Sequence, residues 1–327
     1  MSVVFAQAPL RISLGGGGTD LPSYYREHEG FLIAGAIDKY VYLLVHDIFQ
    51  ERYRLKYSGF EEVDSPEEIQ HPILREALLR HWRGAPLEIA SVADIPAGTG
   101  LGSSGSFTVC LLKALAIAAG RATTPQRLAE DACTIEIDIL GEPIGKQDQY
   151  AAAHGGICAY TFHQDDSVTV EPLDISAMTS TKLRENLLLF YTGETRSAGA
   201  ILSDQDVRTR SMDSAMLQNL DRTRAIGYQS RDLLLSGDLE SYGGLMDEHW
   251  RIKRDRSPGM SSDRINALYE LALRNGAIGG KLVGAGGGGF LLIYTSDPEA
   301  TRAAFAALQV KEVPFSFDHN GCHGSIR

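Results

Sequence analysis

The order of hydrophobic patterns along this 327-residue chain predicts a mixed α+β fold in two lobes. Strand-like segments crowd its first third, whereas helix-like segments dominate from about residue 197 to 274. The helix after the central glycine loop leads into another helix at Pro125, not into a second parallel strand, so a regular βαβ alternation fails. A polar stretch, Gln164–Glu185, interrupts the pattern and divides the chain into residues 1–175 and 176–327.

Taken in order, residues 2–8 alternate loosely and read as a strand ending at Ala8-Pro9. Phe31–Ile37 and Tyr40–Asp47 are β-rich, and Arg52–Tyr57 adds a further strand. Pro66–Trp82 is mostly helical, with Pro72 starting or kinking a helix because proline lacks the interior N–H. Leu87–Ile95 is a strand. After the loop Pro96–Ser104, the segment Gly105–Ala119 is apolar on nearly every side, which predicts a buried helix. Helices at Pro125–Leu140 and Ile144–Ala153 precede a strand at Ile157–His163. Beyond the polar stretch, Leu187–Tyr191 is a buried strand, and helices span about 197–235, 238–253 and 261–274. Strands at Ile278–Val283 and Phe290–Tyr294 flank a glycine run, and a helix near 298–308 and a strand at Glu312–Phe317 complete the chain.

Charge narrows the function. Lys and Arg number 31 against 42 Asp and Glu, a net charge of −11, which lacks the footprint of nucleic-acid or anionic-membrane binding. An anionic substrate would need a local cluster or a metal to overcome that sign. No apolar run approaches the ~20 residues that span a bilayer, and the N-terminus has no basic segment ahead of its apolar stretch, as a secretory signal would. The four cysteines, Cys110, Cys133, Cys158 and Cys322, lie far apart without a CxxC and read as reduced thiols of a cytoplasmic protein.

The 34 glycines are clustered. The middle cluster, Pro96 to Ser106, follows a strand and opens a buried helix. Glycines let backbone N–H groups approach a ligand, and the first helical turn leaves further donors unpaired, so the segment reads as a phosphate cradle. Ser103 and Ser104 add hydroxyls for phosphate or metal; the plainer reading is a glycine turn with a serine cap. Gly100 to Gly105 also fits GxGxxG, but no strand follows the helix to make a dinucleotide fold, and no GxxxxGK[ST] occurs.

Two acids stand out downstream. Glu136 has Ala132, Cys133, Ile139 and Leu140 three and four positions away, and Asp148 has Ile144, Gly145, Ala151 and Ala152. A carboxylate on such a face is buried at a cost or serves a cation, whereas Asp138, beside Thr134 and Glu142, reads as solvated. The turn Gly141-Glu142-Pro143 could aim both acids at one point, where a metal would let them coexist; otherwise they are helix-surface acids.

The N-terminal cluster places Arg11 before Gly15–Gly18, with Thr19 and Asp20 after it. That suits a polyhydroxy ligand, although a turn with Asp20 capping the next helix explains the residues equally. Near the C-terminus, Gly279 to Phe290 carries more glycine than a strand connection needs, which predicts close packing against another glycine loop. Lys253, Arg254 and Arg256 are the densest cations of the second half, either a phosphate receptor or a solvated helix end, and Arg196 is a further candidate. Asp318 to His323 reads as a polar chain end, not a zinc site.

The three clusters, in this order and spacing, resemble the signatures of the GHMP kinase superfamily, which includes galactokinase, homoserine kinase and mevalonate kinase. The resemblance covers essentially the whole chain, and the middle signature, PxGxGLGSS, is highly specific. It is most similar to the branch phosphorylating D-glycero-D-manno-heptose 7-phosphate on its anomeric hydroxyl, through Ala8–Leu21, Gly145–Gly156, Tyr191–Arg196, His249–Gly259 and Gly279–Phe290. Gly105 stands where many relatives carry alanine, a small and sterically permissive change.

The resemblance implies a lobe like domain 2 of ribosomal protein S5 followed by a ferredoxin-like lobe, with ATP between them. It implies that Asp148 orients or deprotonates the sugar hydroxyl, with Arg11 facing the sugar and the transferred phosphoryl group. Pro96, Gly98, Gly100, Leu101, Gly102, Ser103, Ser104 and Gly105 would wrap the ATP phosphates, and Ser104 with Glu136 would hold Mg²⁺. Gly17, Gly18, Thr19, Asp20, Arg196, Lys253, Arg254 and Gly287 would contact the sugar phosphate. The implied product is heptose 1,7-bisphosphate, on the way to a nucleotide-activated heptose for surface glycans; another sugar, of the fucose or galactose type, is the alternative. The implied partners are ATP and a sugar phosphate, with no nucleic acid or membrane, and a homodimer stays open.

Overall fold

The computed structural model describes residues 3–194 and 198–327. The chain runs through β1 (Val3–Gly15), α1 (Pro22–His28), β2 (Gly30–Asp47), β3 (Tyr53–Lys56), β4 (Phe60–Val63), α2 (Pro72–His81), β5 (Leu87–Ala93) and α3 (Ser103–Ala118). Then come α4 (Pro125–Cys133), a π-helical turn (Thr134–Ile139), α5 (Gln147–His154), β6 (Ile157–Phe162), β7 (Val168–Pro172), α6 (Ala177–Asn186) and β8 (Leu187–Tyr191). The remainder is α7 (Ala198–Arg210), α8 (Ser214–Ser236), α9 (Leu239–Arg254), α10 (Asp263–Arg274), β9 (Ala277–Leu282), β10 (Phe290–Thr295), α11 (Pro298–Ala307) and β11 (His323–Ile326).

Two sheets organise these elements. The larger runs β11-β1-β2-β5-β3-β4, and on the edge away from β1 the long β2 serves two neighbours: Gly30–Gly35 pairs β6, with β7 outside it, and Val41–Asp47 pairs β5. The smaller runs β8-β10-β9. Strand alternation sorts the side chains of β1. Leu10, Ile12 and Leu14 enter the apolar core shared with α8, α9 and β10, while Arg11 and Ser13 line the cleft described below. The apolar surface of α3 packs on β1 and β2 and against α5, so every side of it meets protein, as its composition requires.

The structure changes several expected boundaries. The first strand does not stop at Pro9: the pairing with β2 shifts between Pro9 and Leu10, and at such an irregularity a missing N–H is tolerated. The two segments expected within 31–47 are one strand. The helix expected over 197–235 divides at Ser211–Asp213, where Asp213 accepts the Met216 N–H and caps α8. α5 begins at Gln147 rather than Ile144, which puts Asp148 in its first turn. The polar stretch 164–185 contains β7 and most of α6.

Residues 312–317 make only isolated bridges, and the closing strand lies at His323–Ile326, paired with β1. The segment leading to it is packed, not a polar chain end. Asp318 is buried, receives the Tyr40 hydroxyl at 2.9 Å and caps the N–H groups of Asn320 and Gly321. The end of the chain thus lies on the first sheet.

Candidate active site

The central loop has the conformation a phosphate cradle needs. Gly98, Gly100 and Gly102 have φ of 76°, 86° and 80°, left-handed values at alternate positions that L side chains rarely adopt. Alternation of this kind gathers successive N–H groups into an anion-binding concavity. The amides of Ser103, Ser104 and Gly105 precede the first bond within α3, Ser106 N–H to Gly102 O, and point out of the helix start. Neither serine caps the helix, since Gly102 occupies that position. Gly98 and Ser104 are exposed, so the loop opens to solvent. Pro96 accepts the Thr99 hydroxyl at 2.9 Å, and Leu101 is buried with its carbonyl on the Arg11 N–H at 3.0 Å; both hold the loop rather than face the cleft.

The two acids converge beside this loop. Glu136 sits in the π turn, a local widening that recurs at functional sites, and is 1% exposed. Ser104 Oγ donates to its Oε2 at 2.6 Å and Gln149 Nε2 to its Oε1 at 3.0 Å. Burial raises the Glu136 carboxyl above its ordinary pKa, while the Ser104 and Gln149 donors oppose that rise. Asp138 is exposed, as expected. Asp148 Oδ1 receives Arg11 Nε at 2.7 Å, Arg11 Nη2 at 2.6 Å and Gln147 Nε2 at 3.3 Å. Arg11 Nη1 donates to Gly100 O at 2.6 Å and so joins Asp148 to the loop. A Cβ on Gly105 would lie 2.8 Å from Asp148 Cβ. Glycine at this position leaves room for Asp148 to lie close against the start of α3.

The N-terminal cluster forms one wall of the same cleft, whose volume is about 220 Å³. Asp20 is buried and accepts the N–H groups of Gly18 and Gln147, each at 3.1 Å. Burial raises its pKa, and the Asp148 charge adds to the rise. Gly17 and Gly18 line the cleft, fixed through their carbonyls by Arg256 Nη1 at 3.3 Å and Gln205 Nε2 at 2.7 Å. Thr19 does not face a ligand: its buried hydroxyl donates to the Gly16 and Phe31 carbonyls and closes the turn. The third cluster packs against the middle loop, as anticipated. Gly284, at φ 78°, would carry a Cβ 2.6 Å from Gly100 Cα, and Gly289 presses on the Thr99 carbonyl.

Not every expected ligand residue reaches the cleft. Gly287 donates its N–H to Met260 O at 2.9 Å and lies behind the loop. Arg254 turns away, over the Trp250 ring at 5.8 Å and within 3.4 Å of Asn266 Oδ1, because its side of α9 faces α10. Lys253 and Arg256 do line the cleft, both buried. Arg196 lies outside the described residues. Sequence reasoning passed over Lys281, His249, Ser13, Gln147 and Gln205, which also line it. The one available signal was Lys281, a cation set between glycines and the apolar Leu282-Val283 of a buried strand.

The ensemble offers an anion cradle, a carboxylate with a hydroxyl, a second carboxylate tied to a guanidinium, and a polar pocket. These are the parts for transferring a phosphoryl group to a hydroxyl. Models of the N-terminal and C-terminal domains of GHMP kinases match residues 72–156 and 230–312, together just over half of the chain. A D-glycero-alpha-D-manno-heptose 7-phosphate kinase of Campylobacter jejuni is 27% identical over 98% of both chains. A galactokinase of Pyrococcus furiosus is 23% identical over 97% of this chain and 96% of its own. The crystal structure of a D-glycero-D-manno-heptose 1-phosphate kinase from Bacteroides thetaiotaomicron shares the fold, with a TM-score of 0.80 and 24% identity over 98% of each chain. The chain belongs to the GHMP kinases, and its chemistry is ATP-dependent phosphoryl transfer.

Proposed function

We propose that the protein phosphorylates the anomeric hydroxyl of D-glycero-D-manno-heptose 7-phosphate with ATP, giving the 1,7-bisphosphate and ADP. The observation that carries the site assignment is the Asp148–Arg11–Gly100 chain, with contacts of 2.6–2.7 Å, which ties an acceptor-orienting carboxylate to the phosphate loop. The loop Gly98–Gly105 holds the triphosphate. Asp148 engages Arg11 and Gln147 through Oδ1, leaving Oδ2 for the acceptor hydroxyl. That hydroxyl oxygen bonds to the γ-phosphorus as the bond to the β-phosphate oxygen breaks, and its proton passes to Asp148 or to solvent. Arg11 balances charge on the transferring group, and Asp20 with the Gly17–Gly18 turn holds sugar hydroxyls.

Glu136 and Ser104 suit Mg²⁺, because they are two hard oxygen donors whose atoms lie 2.6 Å apart at the start of α3. The ion would supply charge neutralisation to the ATP phosphates. No described group of three or more His, Cys, Asp or Glu forms a metal cage of its own, in keeping with an ion that completes its shell on substrate oxygens. We assign residues 1–175 to a nucleotide-binding lobe and 176–327 to the lobe closing the substrate site, with β11 returned to the first sheet. No described helix is long and apolar enough to cross a membrane, and four free, buried cysteines suit a reducing cytoplasm.

The near full-length likeness to a galactokinase keeps one alternative, a free hexose acceptor. Phosphorus NMR of the product from heptose 7-phosphate and ATP decides between them. A second resonance for an anomeric phosphate supports the assignment. Turnover of galactose or fucose in its place overturns it.

A further inference from the structure

The floor of the cleft gathers three buried basic side chains and a histidine whose imidazole burial keeps neutral, none of which the transfer itself uses. Lys281 on β9, His249 and Lys253 on α9, and Arg256 just beyond it are 2%, 2%, 7% and 4% exposed, and all line the cleft. Among the described residues, Lys253, Arg256 and Lys281 form no ion pair with a carboxylate. Two of the cations are nevertheless well served. Lys253 Nζ donates to Leu282 O at 2.9 Å and Gly284 O at 2.5 Å, clipping the third glycine loop in place. Arg256 donates to Asn219 Oδ1 and Thr223 Oγ1 at 2.9 and 2.8 Å, and feels Asp20 nearby.

Lys281 is served poorly. Among the described residues its Nζ reaches only Ser13 Oγ and His249 Nδ1, both at a long 3.4 Å, and the Nε2 of His249 has no partner. Burial, with Arg11 and Arg256 adding repulsion, pushes the Lys281 ammonium from 10.5 down to about 7. A buried cation and a buried imidazole nitrogen left short of protein partners are costly. An anion bound there satisfies both. In the transfer proposed above, Arg11 and the loop amides serve the transferring phosphoryl group, so the anion is assigned to the other reactant.

We propose that Lys281, with His249 beside it and Arg256 behind, is the specificity-determining receptor for a phosphate monoester on the acceptor, selecting a sugar phosphate over a free sugar. The proposal rests on the sugar-kinase reading above and names which residues make the choice.

The test compares wild type with Lys281→Met on D-glycero-D-manno-heptose 7-phosphate and on the same heptose without phosphate. The expected result is a rise of 30-fold or more in KM for the phosphorylated acceptor, with KM for ATP changed less than threefold and a loss on the free heptose at least tenfold smaller. Lys281→Met removes a buried unpaired charge, so its ligand-free Tm should equal or exceed that of wild type. Inorganic phosphate in the presence of saturating ATP, which fills the glycine loop, should stabilise wild type more than the variant. Lys281→Gln gives the same comparison if the methionine variant does not fold. Equal losses on both acceptors, or a rise in KM for ATP instead, overturns the receptor while leaving the kinase reading intact. A wild-type enzyme that turns over only unphosphorylated sugars overturns the heptose phosphate reading and the receptor with it.

Discussion

Gly284→Ala probes the contact between the two glycine loops. The new Cβ would lie 2.6 Å from both Gly100 Cα and Gly100 O, where ordinary contact begins near 3.4 Å, so Gly100 or Gly284 must retreat by about 0.8 Å. Gly284 also has φ 78°, and an L residue there costs on the order of 1–2 kcal/mol. The retreat does not stay local. Gly100 O accepts Arg11 Nη1 at 2.6 Å, and Arg11 holds Asp148, so a displaced Gly100 moves the carboxylate proposed to orient the acceptor. A misplacement of about 1 Å at a reacting centre costs up to 10²-fold in rate. We expect a Tm lower by several degrees, a KM for ATP raised tenfold or more, and kcat reduced 10- to 100-fold. Coupled detection of ADP release and a thermal melt measure all three. Wild-type kinetics in a folded Gly284→Ala protein would refute the idea that this contact sets the nucleotide loop.

Glu136→Gln removes the carboxylate from the oxygen pair with Ser104 while keeping its shape. The Mg²⁺ concentration for half-maximal activity should rise 10- to 100-fold, and the Mg²⁺ dependence of ATP binding, followed by calorimetry, should weaken with it. The depressed Lys281 ammonium predicts a pH signature. Its folded pKa of about 7 lies below the ordinary 10.5, so between those values the folded chain holds fewer protons than the unfolded chain. This group therefore makes stability rise with pH across that window. Affinity for a phosphorylated acceptor moves the opposite way: KM for it should climb as pH passes above about 7 and the ammonium is lost, while KM for ATP stays flat.

Much of the site was legible because its chemistry is written in backbone-dictating residues. Glycine at 98, 100 and 102 can be read directly as a left-handed, amide-presenting loop, and the apolar neighbours of Glu136 announced its burial. What the sequence concealed were direction and distance. Arg254 and Arg256 look alike in a basic run, yet Arg254 ends α9 and turns toward α10, whereas Arg256, two residues on and past the helix end, runs under the Gly17–Gly18 turn. Thr19 sits in the expected place, but its hydroxyl is consumed by two carbonyls. Lys281 was hidden because a lone lysine in an apolar strand acquires meaning only when α9 and β1 bring His249 and Ser13 to it. The closing strand was misplaced for a related reason: β11 is four residues long and is defined by its partner β1 more than by its own pattern.

Asp148→Asn tests the central claim most directly, since it keeps the side chain's size and the nucleotide loop while removing the charge that faces Arg11. We expect kcat for sugar phosphorylation to fall by 10³-fold or more while the Kd for ATP stays within threefold. A variant that retains more than a tenth of wild-type turnover would show that phosphoryl transfer does not depend on this carboxylate.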